Sequence, residues 1–408
     1  MVLLRFEVSN HRSIMDPVEL SMIAVDADRP AVRSFDRLNE GVLTVAGIYG
    51  SNASGKSNVL DAIAWLSAAV SRSLREWDRT IPREPFKFGG GPSAPSTYEL
   101  ELVVDGVRYE YQVEVDDAQV RFEGLYGYPE RRRRSLFERE GLEISFRRGL
   151  GGLSGTRELL TPTTLALSAA MRLDEPEVSG FARALAGIGV LGLRHNTQGL
   201  LTTGRLFFDR TEVEPALALL RFADLGIDEV LVVDEFAGSA GETGRGLRFM
   251  HQVEGQQVPF GFDEESEGTR TWFGLIGPIL QALRAGQVLL FDEIDASLHP
   301  RLSARLVELF QDPDTNPRGA QLIFTTHDTS LLNHLNRDEV WLTEKGPNGA
   351  TTLTALAEYG GDKVRRSLNL EKAYLQGRFG AVPELDQRLL RSALGAAARS
   401  RDRRAGEG

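Results

Sequence analysis

The stretch "GIYGSNASGKSN" at residues 47–58 limits what this chain can fold into more than any other feature. It meets the pattern G-x-x-x-x-G-K-S through Gly50, Gly55, Lys56 and Ser57. The β-branched apolar run "VLTVAGIY" leads into it, and "NVLDAIAWLSAAV" follows with apolar residues at helical spacing. A strand, a glycine-rich turn and a helix, in that order, make a phosphate loop. The glycines let backbone N–H groups turn toward an anion, and the helix start adds the positive end of its dipole. Asn52, Ala53, Ser54 and Asn58 complete the nucleotide-facing turn. Lys56 is placed to reach the β- and γ-phosphates, and Ser57 to give its hydroxyl to Mg2+. The rival reading is a glycine-rich turn that binds nothing, and both flanks argue against it.

A phosphate loop needs a second strand ending in an acid that holds the metal. Two segments qualify, "VLVVDE" at 230–235 and "VLLFDE" at 288–293. The first runs into the glycine-rich "FAGSAGETG" and reads as an ordinary strand with a charged end. The second runs into the amphipathic "IDASLHPRLSARLVELF", and "QLIFTTHDTSLL" follows as a buried strand ending in Thr325, Thr326 and His327. Asp292 is therefore taken as the magnesium-side carboxylate and Glu293 as the base or water-orienting group. His327 at a strand tip is either a satisfied turn histidine or a group that hydrogen-bonds the γ-phosphate.

Ser266-Glu267-Gly268-Thr269 stands where a helix begins, and that helix leads through Gly286 into the 288–293 strand. Small residues at a helix start bind anions, but also serve as a plain N-cap. A competitor, "LSGT" at 153–156, is rejected because Pro162 stops its helix early.

Elsewhere, "VLLRFEVSNHRSI" reads as an edge strand entering a turn. Asp105-Gly106 between "STYELELVV" and "VRYEYQVEV" marks a hairpin. With "AQVRFEGLYGY", "RRSLFERE" and "EISFRR" it builds an antiparallel sheet over about 97–148. Residues 149–157 read as a flexible loop, 164–225 as helical with an end at Asp224-Leu225-Gly226, and "EVLVVDEF" and "LRFMHQV" as strands. From 266 to about 343 helix and strand alternate, the pattern of a doubly wound parallel sheet. The hairpin "VWLTEKGPNGATTLTAL" follows, then a C-terminal helical region and a frayed tail. No heptad run supports a long coiled coil. The expected domains are an N-terminal lobe at 1–160, a helical insert at 161–262, a C-terminal lobe at 263–360 and a helical tail at 361–408.

With 408 residues, 41% of them hydrophobic, the chain can hold two or three domain-sized units with sizeable cores. There are no cysteines, which removes disulfides and thiolate metal sites and fits a reducing cytoplasm. The six histidines form no H-x-x-x-H pair, so a zinc site has no support. The N-terminus lacks signal-peptide features. "TWFGLIGPILQAL", 13 residues broken by Gly277-Pro278, is too short to cross a bilayer. A net charge of −11 does not advertise nucleic-acid binding across the surface, though a local basic patch stays open.

Together these motifs resemble the ABC-class ATPases of the SMC/RecF group, in the order "NHRS", phosphate loop, helix-start signature, acid-ended strand, "IDASLHP" and strand-end histidine. The resemblance is closer still to the RecF-like ATPases of the RloA type in bacterial anti-phage and abortive-infection operons. It extends to "EPFKF", "RFEGLYGYPERRRRSLFERE", "FADLGIDEV" and "EKAYLQGRFGAVPEL", covering about 1–385. It implies an α/β P-loop NTPase with an ABC-type head and ATP with Mg2+ as cofactors. It also implies dimerisation that sandwiches ATP between one subunit's phosphate loop and the other's signature. Ser266 and Gly268 would then touch the γ-phosphate bound at the partner copy's Lys56, and Asp295 would belong to the loop linking the sites. Arg12 matches a basic residue that reaches the phosphates; it reads equally as a surface arginine beside a turn. One departure is a missing glutamine near "LALSAAMRL", where Ser168, or Gln198 folding in, would substitute.

Three functions compete. The first is an ATP-gated homodimer, or higher oligomer, that controls a separate effector, RloB-like or a nuclease. The chain itself carries no nuclease constellation. The second is a RecF-like repair ATPase that binds DNA through "RRRR" at 131–134 and the basic tail "RSRDRR". The arginine run has "ERE" nearby and reads better as a solvated turn. The third is a small-molecule kinase, which has no use for a signature helix.

Overall fold

The apolar run before the glycine-rich loop forms the strand Val45–Gly50, with all six residues buried. Strands covered on both faces read as continuous apolar runs, and those of a parallel sheet are of this kind. The computed structural model describes residues 1–35, 38–173, 175–193, 197–210, 213–223, 225–237, 242–359 and 369–380. Val45–Gly50 lies inside a six-stranded sheet, in the order Gly189–Leu191, Val288–Phe291, Gln321–Thr325, Val45–Gly50, Val340–Lys345, Thr351–Ala355. The first five run parallel and only the last pair is antiparallel. Parallel strands bring their carboxyl ends to one edge, where ligands of open α/β sheets bind. Gly50, Phe291 and Thr325 end three neighbouring strands there.

A seven-stranded antiparallel sheet covers one side, in the order Glu143–Phe146, Arg134–Glu140, Val120–Gly127, Val107–Val115, Ser96–Val104, Val2–Ser9, Val18–Ser21. The helix Lys56–Glu76 lies between the sheets: its Val59, Ile63, Leu66 and Val70 share one core with Phe6, Leu100, Tyr111 and Ile323. A second core joins the other face of the central sheet to the helix Glu267–Ala285, with Tyr49, Phe324, Trp272 and Phe273 among its members.

Several expectations hold. The Asp105-Gly106 hairpin forms, both residues having positive φ (49° and 76°), as a two-residue turn requires. "VLVVDE" belongs to an antiparallel sheet of Ile227–Ala237, Glu242–Val253 and Gln256–Gly261, away from the parallel strands. Others need correction. Val2–Ser9 is not an edge strand but pairs on both sides, with Val18–Ser21 and Ser96–Val104. Residues 149–157 are ordered into a turn of 3-10 helix at Gly151–Leu153 and a short helix Thr156–Leu159, pinned by the buried Leu153 and Thr156. The stretch 164–225 is broken by the strand Gly189–Leu191, which supplies an edge of the central sheet. Asp224, most of the C-terminal region 361–408 and the basic tail lie outside the described residues. Among described residues no helix is long and apolar enough to cross a membrane.

Candidate functional site

The phosphate loop rests on a floor of hydroxyl groups. Thr343 Oγ1 donates to the Tyr49 carbonyl (3.2 Å), which leaves it to accept from Ser54 Oγ (2.6 Å). Thr351 Oγ1 donates to the Ser54 carbonyl (2.7 Å) and so accepts from Ser13 Oγ (2.7 Å), to which Asn58 Nδ2 donates in turn (2.5 Å). Each hydroxyl has one proton, so this chain of bonds has a single direction. The fit explains both glycines. A Cβ at Gly50 would lie 2.4 Å from Thr343 Oγ1, and one at Gly55 would lie 2.2 Å from Thr351 Oγ1. Gly55 also has φ +105°, a conformation open to glycine.

Lys56 opens the helix, buried, with Nζ donating to the carbonyls of Gly50 (3.0 Å) and Ser51 (3.2 Å). Burial lowers its pKa, while Glu293, Asp292 and Asp295 pull in the opposite direction. Those three acids therefore share an electrostatic neighbourhood with the lysine. Ser57 is half-buried at the second helical position, and Asn52 and Ala53 are exposed at the loop tip.

Across the strand ends, Thr325 joins the two carboxylate residues. Its hydroxyl donates to Asp292 Oδ1 (2.6 Å) and accepts from the Glu293 N–H (2.7 Å). Glu293 is exposed, in the left-handed region at φ 50°, ψ 58°. Such a conformation costs a non-glycine residue about 1 kcal/mol and persists where neighbours enforce it. Asp295 Oδ1 accepts from Thr326 Oγ1 (2.8 Å) and the His327 N–H (3.2 Å). The His327 side chain is exposed at the strand tip. A hydroxyl at Ser57 and a carboxylate at Asp292 are the hard oxygen donors that Mg2+ prefers. The glycine cradle, which a Cβ would fill, suits a phosphate chain.

Arg12, at φ 52°, faces carboxylates: its Nε lies 2.9 Å from Asp61 Oδ2 and its outer nitrogen 3.2 Å from Glu84 Oε1. Asp61 sits on the phosphate-loop helix and also meets His11 Nε2 (2.9 Å). Arg12 is thus tied to that helix rather than to the loop itself.

Ser266 caps the helix Glu267–Ala285, its Oγ accepting from the Thr269 N–H (3.1 Å). Ser266 and Gly268 are exposed, and Gly268 borders a cleft of about 740 Å³ with Phe222, Trp272, Leu298, His299 and Arg301. No residue of the phosphate loop lines that cleft. No hydrogen bond or ion pair among the described residues joins 266–268 to 50–58. The structure therefore gathers Gly50–Asn58, Asp292, Glu293, Asp295 and His327, and it leaves Ser266 and Gly268 exposed and unbonded to the phosphate loop among the described residues.

The two substitutes for the missing glutamine separate. Ser168 is buried and its Oγ accepts from the Leu74 N–H (3.3 Å), about 27 Å along the helix from Lys56 by helical rise. Gln198 is the second residue of the helix Thr197–Phe208. That helix follows Gly192, where a Cβ would lie 2.2 Å from the Asp292 carbonyl. The chain thus passes Asp292 at Gly192, ahead of this helix. Sequence reasoning missed Thr325, Thr343 and Thr351. Only Thr325 left a trace, as a hydroxyl closing the apolar run Leu322–Phe324.

Residues 45–159 and 194–333, more than half of the chain, match the model of the family described as "AAA domain, putative AbiEii toxin, Type IV TA system". No curated protein matches. Among solved structures, the chain is similar to an SMC head bound to the C-winged helix domain of ScpA (15% identity, 87% of this chain and 97% of that one, TM-score 0.46). It is also similar to an SMC head domain from Thermotoga maritima (14%, 87% and 99%, 0.41). A third is an SMC head with an extended coiled coil from Pyrococcus furiosus, bound to the C-terminal domain of ScpA (13%, 92% and 98%, 0.40).

Proposed function

The chain belongs to that AAA-domain family, and from this premise we propose that it binds and hydrolyses ATP, dimerises on ATP, and through that dimer controls a separate effector protein in anti-phage defence in the cytoplasm. The observation that carries the reading is the split between two sets of residues. Phosphate loop, acids and His327 converge at the carboxyl edge of one sheet, while the exposed Ser266–Gly268 helix start, capped by its own Ser266, makes no hydrogen bond to any of them among the described residues. A second copy offers that helix start the phosphates it lacks.

In this reading Lys56 exchanges its carbonyl partners for phosphate oxygens, and the loop N–H groups hold the anion in place. Ser57 and Asp292 would hold Mg2+, which when bound neutralises charge on the phosphates. Glu293 is directed by Thr325 to orient the attacking water and take its proton. His327 hydrogen-bonds the γ-phosphate from the neighbouring strand tip. The family's description, with its Type IV toxin–antitoxin system, supports a place in a two-component system in which this chain works with a partner protein.

The DNA-repair alternative draws less support. Arg131 bonds Asn39 (2.9 Å), Arg133 bonds Glu110 (2.6 Å) while lying over the Tyr126 ring, and Arg134 bonds Glu130 (2.7 Å). Arginines engaged in this way are poor candidates for a phosphate-tracking patch.

Complementation tests the composite site. Lys56→Ala and Ser266→Arg chains should each be inactive alone. Mixed in equal amounts they should recover about a quarter of wild-type ATPase, because half the dimers then hold one intact site. No recovery, from chains shown to exchange subunits, would remove the composite site from the account.

A further inference from the structure

The segment "EKAYLQGRFG" belongs to the family resemblance, yet nothing in the proposed ATPase chemistry uses it. Its helix Leu370–Leu375 is capped by Asn369, whose side chain accepts from the Lys372 N–H (2.7 Å). One turn of this helix grips the chain just after His327. Glu371 Oε2 accepts from Asn333 Nδ2 (2.8 Å), and its other oxygen meets Thr329 Oγ1 (3.4 Å). Asn369 reaches Asn333 as well (3.4 Å). Thr329–His334 is a 3-10 helix capped by Asp328, the residue that follows His327. Among the described residues, the side-chain hydrogen bonds of Glu371 therefore fall within a segment that begins two residues after the strand-end histidine.

The same helix also touches the phosphate loop's own strand. Tyr374, 6% exposed, packs edge-on against Tyr49 with ring centroids 6.1 Å apart, and Tyr49 immediately precedes Gly50. Beyond the helix, Phe379 folds back: its carbonyl accepts from Tyr359 OH (3.0 Å), and the two rings meet at 5.8 Å. Asn369–Gly380 is thus held at both ends, against the phosphate-loop strand and against the 3-10 helix that follows His327.

We infer that this segment is a clip that positions His327. Glu371, acting through Thr329 and Asn333, fixes the backbone from which His327 projects, and Tyr374 fixes that arrangement against the phosphate-loop strand. The inference rests on the ATPase reading and adds a residue to it. Glu371 is a positioning residue, because it touches His327's segment and not the nucleotide. Its removal should slow hydrolysis while leaving nucleotide affinity in place, since Lys56 and its loop keep their own floor of hydroxyls.

The test uses the full chain and four variants: Glu371→Ala, Glu371→Gln, His327→Ala and the His327→Ala/Glu371→Ala double. ATP turnover, binding of a fluorescent ATP analogue and thermal unfolding are measured on each. Glu371→Ala should lower kcat about fivefold or more, the effect of losing one or two hydrogen bonds, with analogue affinity within about twofold of wild type. Glu371→Gln should recover most of the rate, because its amide oxygen still accepts from Asn333. In the His327→Ala background, Glu371→Ala should cost nothing further. Unchanged kcat in Glu371→Ala would overturn the inference, as would additive losses in the double variant or parallel losses of affinity and rate. A wild-type chain that binds the analogue but never hydrolyses ATP would instead sink the ATPase reading beneath it.

Discussion

Thr325 has one proton and two neighbours, and it uses both. By donating to Asp292 and accepting from the Glu293 N–H it fixes the direction of the carboxylate proposed to hold Mg2+ and holds the next residue left-handed. Valine has the same shape without the bonds. Thr325→Val should therefore lower kcat about tenfold or more, the equivalent of one lost hydrogen bond to a charged group, with little change in KM for ATP. Steady-state kinetics decides this, and an unchanged kcat would contradict the role given to Thr325. Lys56 makes a second prediction. Burial lowers its pKa below the ordinary lysine value, so the free protein loses that proton at lower pH than an exposed lysine would. The sign for folding follows: the unfolded chain holds the proton more tightly, so this residue's contribution to stability rises with pH between the lowered and the ordinary value. Phosphates favour the charged form, so ATP binding takes up a proton and affinity falls as pH rises through the lowered pKa. Lys56→Arg stays charged and should flatten that alkaline decline in a titration of affinity against pH.

At the scale of elements, two unlike sheets must be held to one set of helices, and a buried pair does part of this. Glu123, fully buried on the strand Val120–Gly127, accepts from the N–H groups of Ala166 (2.6 Å) and Leu167 (2.8 Å), the first turn of the helix Ala166–Ala170. Arg139, equally buried, lies 3.5 Å from it and donates to the Thr161 (2.8 Å) and Gly141 (2.6 Å) carbonyls. Glu123→Ala would strand the arginine and uncap the helix, a loss of about 3–5 kcal/mol by the usual cost of breaking a buried pair. Denaturant unfolding measures it, and a loss below 1 kcal/mol would show that the pair is not the tie described. Elements of this kind differ in how far the sequence reveals them. The phosphate-loop strand and helix were legible because their chemistry is written in consecutive residues. Gly189–Leu191 was not, because three apolar residues between helices look like a helix end until Val288–Phe291 lies beside them. The N-terminal strand was misplaced for a related reason: its second neighbour, Val18–Ser21, has four residues and a weak pattern.

For the whole molecule, parallel strands ending in Gly50, Phe291 and Thr325 bring Lys56, Asp292, Glu293, Asp295 and His327 to one sheet edge, while Arg12, for which a phosphate-reaching role was one of two readings, turns to Asp61 and Glu84. The hydroxyl floor under the loop was not legible, since Thr343 and Thr351 are nearly three hundred residues away in sequence and carry no motif. Nor does one chain reveal what the exposed Ser266–Gly268 helix start meets. The central claim is that it meets the nucleotide held by a second copy. The most direct measurement is molar mass by light scattering on the Glu293→Gln protein, with and without ATP and Mg2+, since that variant should bind nucleotide and keep it. Mass should double with ATP–Mg2+, and adding Ser266→Arg should abolish the doubling. A mass that ignores nucleotide, in protein shown to have bound it, would contradict the claim.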